Sequence, residues 1–442
     1  MGKDGTGKTV SDFPLIYFGI AKIWHIFGYN VFIYRLVILL FFFSGLFALF
    51  KYFENSLKDS ILAIICSLFL FTSPTLVYYA NNFLMDIPAF SLALIGLYFF
   101  LKFCQSSSNK HLYIFALCYA LGGLLKISSL LSYMAILGIF FLELINIKFI
   151  KDRKIFQHPL KQAIPLISVL IIQFVWYTYA SNYNEKYNEG IFLIGILPIW
   201  DMSLSQIKET LNAIVSHIKW DYFRRETQLV FVLMFIMIMV FFKRIDKKML
   251  ALVILNSLGF LFFIILFFQA LEGHEYYTIN LFILVPVVLL SFLLLLKDRY
   301  RIIYNSIFFK IILIAFLVHN VDFARRRMES RYKQDGWSNK YYFSNYQSLT
   351  EVTPYLRSIG LEEDDKVLSL SDRSINISLY LMNQKGWTNY GIHSDSLKIE
   401  KKINLGAEYL FIFDKGTYKD SGINSFIHNK IGEYKNIDIY AL

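Results

Sequence analysis

Long apolar runs separated by short polar connectors set the pattern of this chain, as in "VFIYRLVILLFFFSGLFALF" from Val31 and "LVFVLMFIMIMVFF" from Leu229. A helix needs about 18 or more apolar residues to cross a bilayer, and these runs approach or exceed that length. The pattern predicts about ten spans, at 31–52, 60–80, 86–103, 111–126, 128–149, 163–181, 228–243, 249–270, 278–296 and 302–319. The stretch from His111 to Ile150 is too long for one crossing, and its break falls at Lys126-Ile127-Ser128-Ser129.

Two segments depart from the spanning pattern. In "SLSQIKETLNAIVSHI", Leu204, Ile207, Leu211, Ile214, Val215 and Ile218 share one helical face, predicting a helix lying along the membrane surface within a loop at 182–227. Residues 15–27, with Trp24 and several other aromatics, read similarly. Beyond about residue 320 the period changes. "DKVLSLS", "AEYLFIFD" and "NIDIYAL" read as strands, with helical stretches near 374–384 and 394–403 between them. The expected architecture is an all-α polytopic membrane domain at 31–319, preceded by a partial outer loop with an interfacial helix at 1–30 and followed by a small extracytoplasmic α/β domain at 320–442.

Charge gives this arrangement an orientation. Lys148, Lys151, Arg153, Lys154 and Lys161, then Lys243, Arg244, Lys247 and Lys248, then Lys297, Arg299 and Arg301 fall in alternate connectors, whereas "YYANN" and "LEGHEYYT" carry no Lys or Arg. The positive-inside rule makes the basic set cytoplasmic, placing the protein in the cytoplasmic membrane with its tail outside. The net charge of +11 therefore reflects topology, and no nucleic-acid partner is expected. Three cysteines, Cys66, Cys104 and Cys118, lie in or beside apolar runs and match neither a disulfide framework nor a zinc spacing. "GKDGTGKT" at 2–9 spells a P-loop, but only Met1 precedes it, so the strand that presents such a loop to a phosphate is missing. It reads as a chance match.

Ionisable groups near apolar spans are costly and invite a reason. Asp86, in "YYANNFLMDIPAF", sits where an outer loop enters a span; as a bland reading it caps the helix, and as a functional one it faces a reaction cavity. Lys126 ends a span on the outer side, either snorkelling to the headgroups or holding a lipid phosphate. Gly122 and Gly123 just before it allow close approach of a lipid or a helix. His274, Glu275, Tyr276 and Tyr277 gather at an outer helix end, where an aromatic belt explains the tyrosines more readily than the charged pair. Arg35 is a further phosphate partner or snorkeller, and Glu143 lies deeper in a span with no evident partner.

These residues fall in segments that resemble a family. "DFPLIYFGIAKIWHIFGYNVFIYRLV", "TSPTLVYYANNFLMDIPAFSLALIGLYFFL", "LGGLLKISSLL" and "HEYYTINLFILVPVVLL" are similar, in the same order, to segments of bacterial polytopic glycosyltransferases with the GT-C fold, the relatives of aminoarabinose transferase and the protein O-mannosyltransferases. The resemblance covers roughly residues 12–320 and leaves out the tail. It implies transfer of a sugar from a polyprenyl-phosphate donor to a glycan, lipid or protein acceptor at the outer membrane face, in contact with membrane lipids. By that resemblance Asp86 is the catalytic cavity acid, Lys126 the phosphate contact, and Arg35, His274 and Tyr277 polar groups for substrate or lipid phosphate. No cofactor is identified, and a divalent metal and its ligands stay open.

The family carries its principal acid after a first transmembrane helix, upstream of the segment that begins here at Asp12. This chain is therefore expected to lack that helix and acidic motif, whether through a start further upstream, as a fragment, or as an inactive scaffold. The alternative from another class is a transporter or flippase of lipid-linked saccharides. No convincing internal repeat supports it, and most charges lie at span ends rather than at a midplane site.

Overall fold

The computed structural model describes residues 9–150, 153–187, 195–333 and 340–442. Most of "GKDGTGKT" lies outside them; its last residue, Thr9, donates its hydroxyl to Asn184 at 3.4 Å, and the Val10 amide donates to the same Asn184 oxygen at 2.8 Å. The chain divides into two compact units. One comprises Asp12–Tyr179 and Gly195–Met328; the other comprises Met1–Ser11, Ala180–Ile194 and Glu329–Leu442.

The first unit is helical. Its opening elements are α1 (Leu15–Phe27), α2 (Val31–Leu57), α3 (Ser60–Leu68), α4 (Pro74–Ala80), α5 (Asp86–Ser106), α6 (Asn109–Leu125) and α7 (Leu130–Leu144). Among the described residues seven helices are long and apolar enough to cross a membrane, or eight if a bent pair at Ser60–Thr72 and Pro74–Ala80 counts as one span. That pair turns by 80° at Ser73-Pro74. Pro74 has no N–H to continue the upstream helix, and Ser73 caps the new one by accepting from the Leu76 amide at 3.4 Å. The expectation of ten spans also counted 111–126 and 228–243. They form helices of 17 and 16 residues, at the short end of the range for a crossing.

Burial separates the centre of this unit from its rim. In the span Glu275–Arg299 83% of the apolar window is buried, against 11% in Ile307–Tyr332, whose outward side chains suit lipid. α5 packs against α2 and α6 at close range because glycines lie at the crossings. A Cβ on Gly45 would come within 3.0 Å of the Ser91 backbone, and one on Gly96 within 2.6 Å of the Tyr119 ring. The pair before Lys126 has the same use. Gly122 faces Ala89 and Ser129, and Gly123 faces Gln173, so helices rather than lipid occupy the space they leave.

Glu143 finds its reason here. Only 2% exposed, its carboxylate accepts from the Ile155 amide at 2.8 Å and the Phe156 amide at 2.9 Å, pinning the connector after α7. Charge-assisted bonds to a carboxylate contribute roughly 1.5–3 kcal/mol each. Glu143→Ala is expected to lower the thermal midpoint in detergent by several degrees, read by intrinsic fluorescence; an unchanged midpoint would contradict this anchoring role.

In the second unit the tail folds as an α/β layer. Its strands are β1 (Lys366–Ser369), β2 (Lys385–Thr388), β3 (Ala407–Ile412), β4 (Lys430–Tyr434) and β5 (Ile437–Ala441), in the order β2-β1-β3-β5-β4. β2, β1 and β3 are parallel, while β5 runs antiparallel to both β3 and β4. Helices Ile377–Met382 and Ser396–Asn404 make the crossovers between the parallel strands. The three strands read from the sequence are β1, β3 and β5. β2 and β4 escape that reading because Lys385-Gly386 and Lys430-Ile431-Gly432-Glu433 lack a continuous apolar face.

Candidate active site

The site is assembled where helices of the first unit begin and end. α6 stops at Lys126, whose backbone turns extended (φ −160°, ψ 116°) after its amide closes the last turn on Gly122 at 2.8 Å. A short turn, Ile127–Ser129, follows before α7, so the long apolar stretch breaks at the expected place. This break leaves the Lys126 side chain at a helix end, free to reach sideways.

It reaches Asp86. The Lys126 Nζ lies 3.8 Å from Asp86 Oδ2, and the side chains are 23% and 1% exposed respectively. Asp86 is the first residue of α5 but its carboxylate makes no cap, and Oδ1 is buried without a hydrogen-bond partner. The bland capping reading therefore fails in this geometry. A buried carboxylate is sustained only by a partner charge, and Lys126 supplies it.

The same ammonium stands over two aromatic rings, 5.9 Å from the centroid of Tyr276 and 5.5 Å from that of Tyr277. His274 is exposed and packs its ring on both, at 5.3 and 5.8 Å. These residues begin a nine-residue 3₁₀ segment, Glu275–Ile283, an unusual length for that form. Pro286 accounts for it in part, since its missing N–H cannot close an α-turn on Phe282. Arg35 is not brought to Lys126. It is exposed and stacks its guanidinium 5.4 Å from the Phe83 ring, while neighbouring Tyr34 donates its hydroxyl to the Phe83 carbonyl at 3.0 Å. It thus flanks the loop that leads into Asp86.

One acid outside the expected site residues joins them. Asp12 precedes α1, and the amide of the next residue, Phe13, donates to the Leu124 carbonyl at 2.8 Å, holding Asp12 beside the end of α6. Burial pushes the Asp12 carboxyl up to about 6; Lys126 opposes the shift and Asp86 adds to it. Burial works against the Lys126 ammonium, but Asp86 and Asp12 outweigh it and hold that group above its ordinary value. The three charges thus feel one another. The available signal was position alone, an acid directly before the "FPLIYF" run, and no local motif marks it. Among the described residues no three His, Cys, Asp or Glu side chains cluster as a metal site would require.

The geometry is that of a membrane-embedded helical protein with an ammonium paired to a buried carboxylate at the helix ends. Residues 11–177 match the family model described as dolichyl-phosphate-mannose-protein mannosyltransferase. The fold is that of ArnT from Cupriavidus metallidurans. The apo structure matches with a TM-score of 0.64 at 11% identity, covering 99% of this chain and 88% of that one. The structure of that protein bound to undecaprenyl phosphate matches with a TM-score of 0.61 at 10% identity, covering 99% and 89%. An oligosaccharyltransferase from Archaeoglobus fulgidus, in complex with Zn and sulfate, gives 0.55 at 10% identity, covering 90% of this chain and 59% of that one. No curated protein matches the chain by sequence. The chain has the GT-C fold of these membrane glycosyltransferases, as the resemblance implied.

Proposed function

We propose that this protein transfers a sugar from a polyprenyl-phosphate donor to an acceptor hydroxyl at the outer face of the cytoplasmic membrane. The observation that carries this reading is the Asp86–Lys126 pair at 3.8 Å, with a partly exposed ammonium in front of an almost fully buried carboxylate. Support comes from the shared fold with a protein solved with undecaprenyl phosphate bound.

In this reading the donor phosphate docks on Lys126. The bond between the sugar's anomeric carbon and the phosphate oxygen breaks as the acceptor oxygen bonds to that carbon. Polyprenyl phosphate leaves, and Lys126 stabilises its growing charge. The acceptor proton passes to Asp12, whose carboxyl near 6 is ionised yet basic enough at neutral pH. Asp86 is too enclosed to meet substrate; it acts through Lys126, as a positioning residue. Tyr277 and His274 line the approach, and Arg35 serves lipid phosphate at the rim. An apolar groove of about 340 Å³, walled by residues such as Phe69, Phe231, Met234 and Phe316, offers a surface for an isoprenoid chain.

The test is sugar transfer in detergent with a panel of radiolabelled polyprenyl-phosphate sugars and membrane-extracted acceptors. Stoichiometric release of polyprenyl phosphate with label in the acceptor is expected. Movement of lipid-linked saccharide across proteoliposomes without bond cleavage would overturn the proposal in favour of transport.

A further inference from the structure

A second cavity, of about 530 Å³, opens at the end of the bundle that carries the basic connectors, within the usual range for small-molecule sites. Its walls come from the ends of α2 and α5, the connector before the helix Lys247–Leu266, and the end of the helix Leu284–Arg299. Ser291, Leu294, Leu295 and Asp298 line it from one face of that last helix, so it runs about 10 Å inward from Asp298 at 1.5 Å per residue. A solvated patch of charges would be flat; this one is a slot.

Its charges are of both signs and incompletely paired. Arg244 and Lys248 provide two cations, and Asp246 and Asp298 two carboxylates. Lys248 stands 3.9 Å from Asp246, which caps the adjacent helix by accepting from the Met249 amide at 3.1 Å. Asp298 meets its neighbour Arg299 at 3.2 Å. The Arg244 side chain makes no ion pair or hydrogen bond among the described residues. Deeper in, Tyr52 is 2% exposed and its hydroxyl has only the Met249 thioether, at 3.8 Å, a weak acceptor. The buried phenol has hydrogen-bonding capacity that the thioether barely uses, and the exposed Arg244 guanidinium at the mouth keeps all its donors available to an oxygen-rich ligand.

We infer that this cavity binds a phosphate ester carrying a nearby ammonium: the phosphate on Arg244 and Lys248, the ammonium on Asp298. The lining offers cations and carboxylates together, so both ends of a zwitterion find a partner there. An ethanolamine phospholipid headgroup and soluble O-phosphoethanolamine share this chemistry. The site lies at the opposite membrane face from Lys126, and its occupancy is independent of sugar transfer.

The test measures thermal stability and native mass spectra of the full chain in detergent, with phosphatidylethanolamine, phosphatidylglycerol or O-phosphoethanolamine added. Phosphatidylethanolamine is expected to raise the midpoint by several degrees where phosphatidylglycerol does not. Arg244→Gln and Asp298→Asn should each weaken that binding about tenfold. Both side chains are exposed, so the folded state should survive, as checked by the unliganded midpoint. An equal response to O-phosphoethanolamine assigns the site to a soluble ligand of the same chemistry. A response to phosphatidylglycerol as large as to phosphatidylethanolamine, no response to any of the three, or undiminished binding in both variants overturns the inference.

Discussion

On the proposed reaction, Lys126→Met is expected to lower sugar transfer by about 100-fold or more, the scale seen when one preorganised donor to a developing negative charge is removed. The same change destabilises the fold. Asp86 keeps its burial but loses the ammonium 3.8 Å away, and its second oxygen already lacks a partner. Stranding a buried charge costs about 3–5 kcal/mol. A loss of activity alone would therefore be ambiguous between chemistry and unfolding. The double variant Asp86→Asn/Lys126→Met separates them, since an amide can remain buried at far smaller cost. We expect most of the thermal midpoint to return in the double variant while turnover stays down. Turnover recovering in step with stability would reduce Lys126 to a structural role, and near-normal turnover in Lys126→Met would remove it from the site.

The membrane architecture was legible because the bilayer imposes a length and a composition on each crossing. Even the break at Lys126–Ser129 could be placed by arithmetic, as the run from His111 is too long for one span. The bend at Ser73-Pro74 was written in the proline, yet the hydropathy of 60–80 as a whole masked it. Glu143 shows a different limit. Its partners are backbone amides of Ile155 and Phe156, which every residue but proline carries, so no sequence feature names them. The site divides along the same line. Asp86 and Lys126 stood out as charges at span ends, and chain order alone could not reveal that they meet each other. Asp12 depends on a tertiary bond from the next residue to Leu124, and its raised carboxyl is a property of that placement.

Asp12→Asn is the sharper test of the chemistry, because its effects on stability and activity should have opposite signs. Burial raises the carboxyl from 3.8 to about 6, so the folded state resists ionisation more than the unfolded chain does. As pH rises from below 4, ionisation favours the unfolded chain first. Stability therefore falls between about 4 and 6 and levels off above the folded value. Asn carries no such penalty. The variant should be more stable than the parent at pH 7, with the advantage shrinking as pH falls and vanishing below about 4. Transfer, by contrast, should drop by about 100-fold or more, the usual contribution of a positioned base. The parent's rate should climb with pH through about 6 as Asp12 ionises, and the variant should lose that limb. A pH profile unchanged by the substitution would move the proton acceptor elsewhere. A variant both less stable and less active at pH 7 would mean that Asp12 is held in place as a structural anion by Lys126, and that its strained burial serves no reaction.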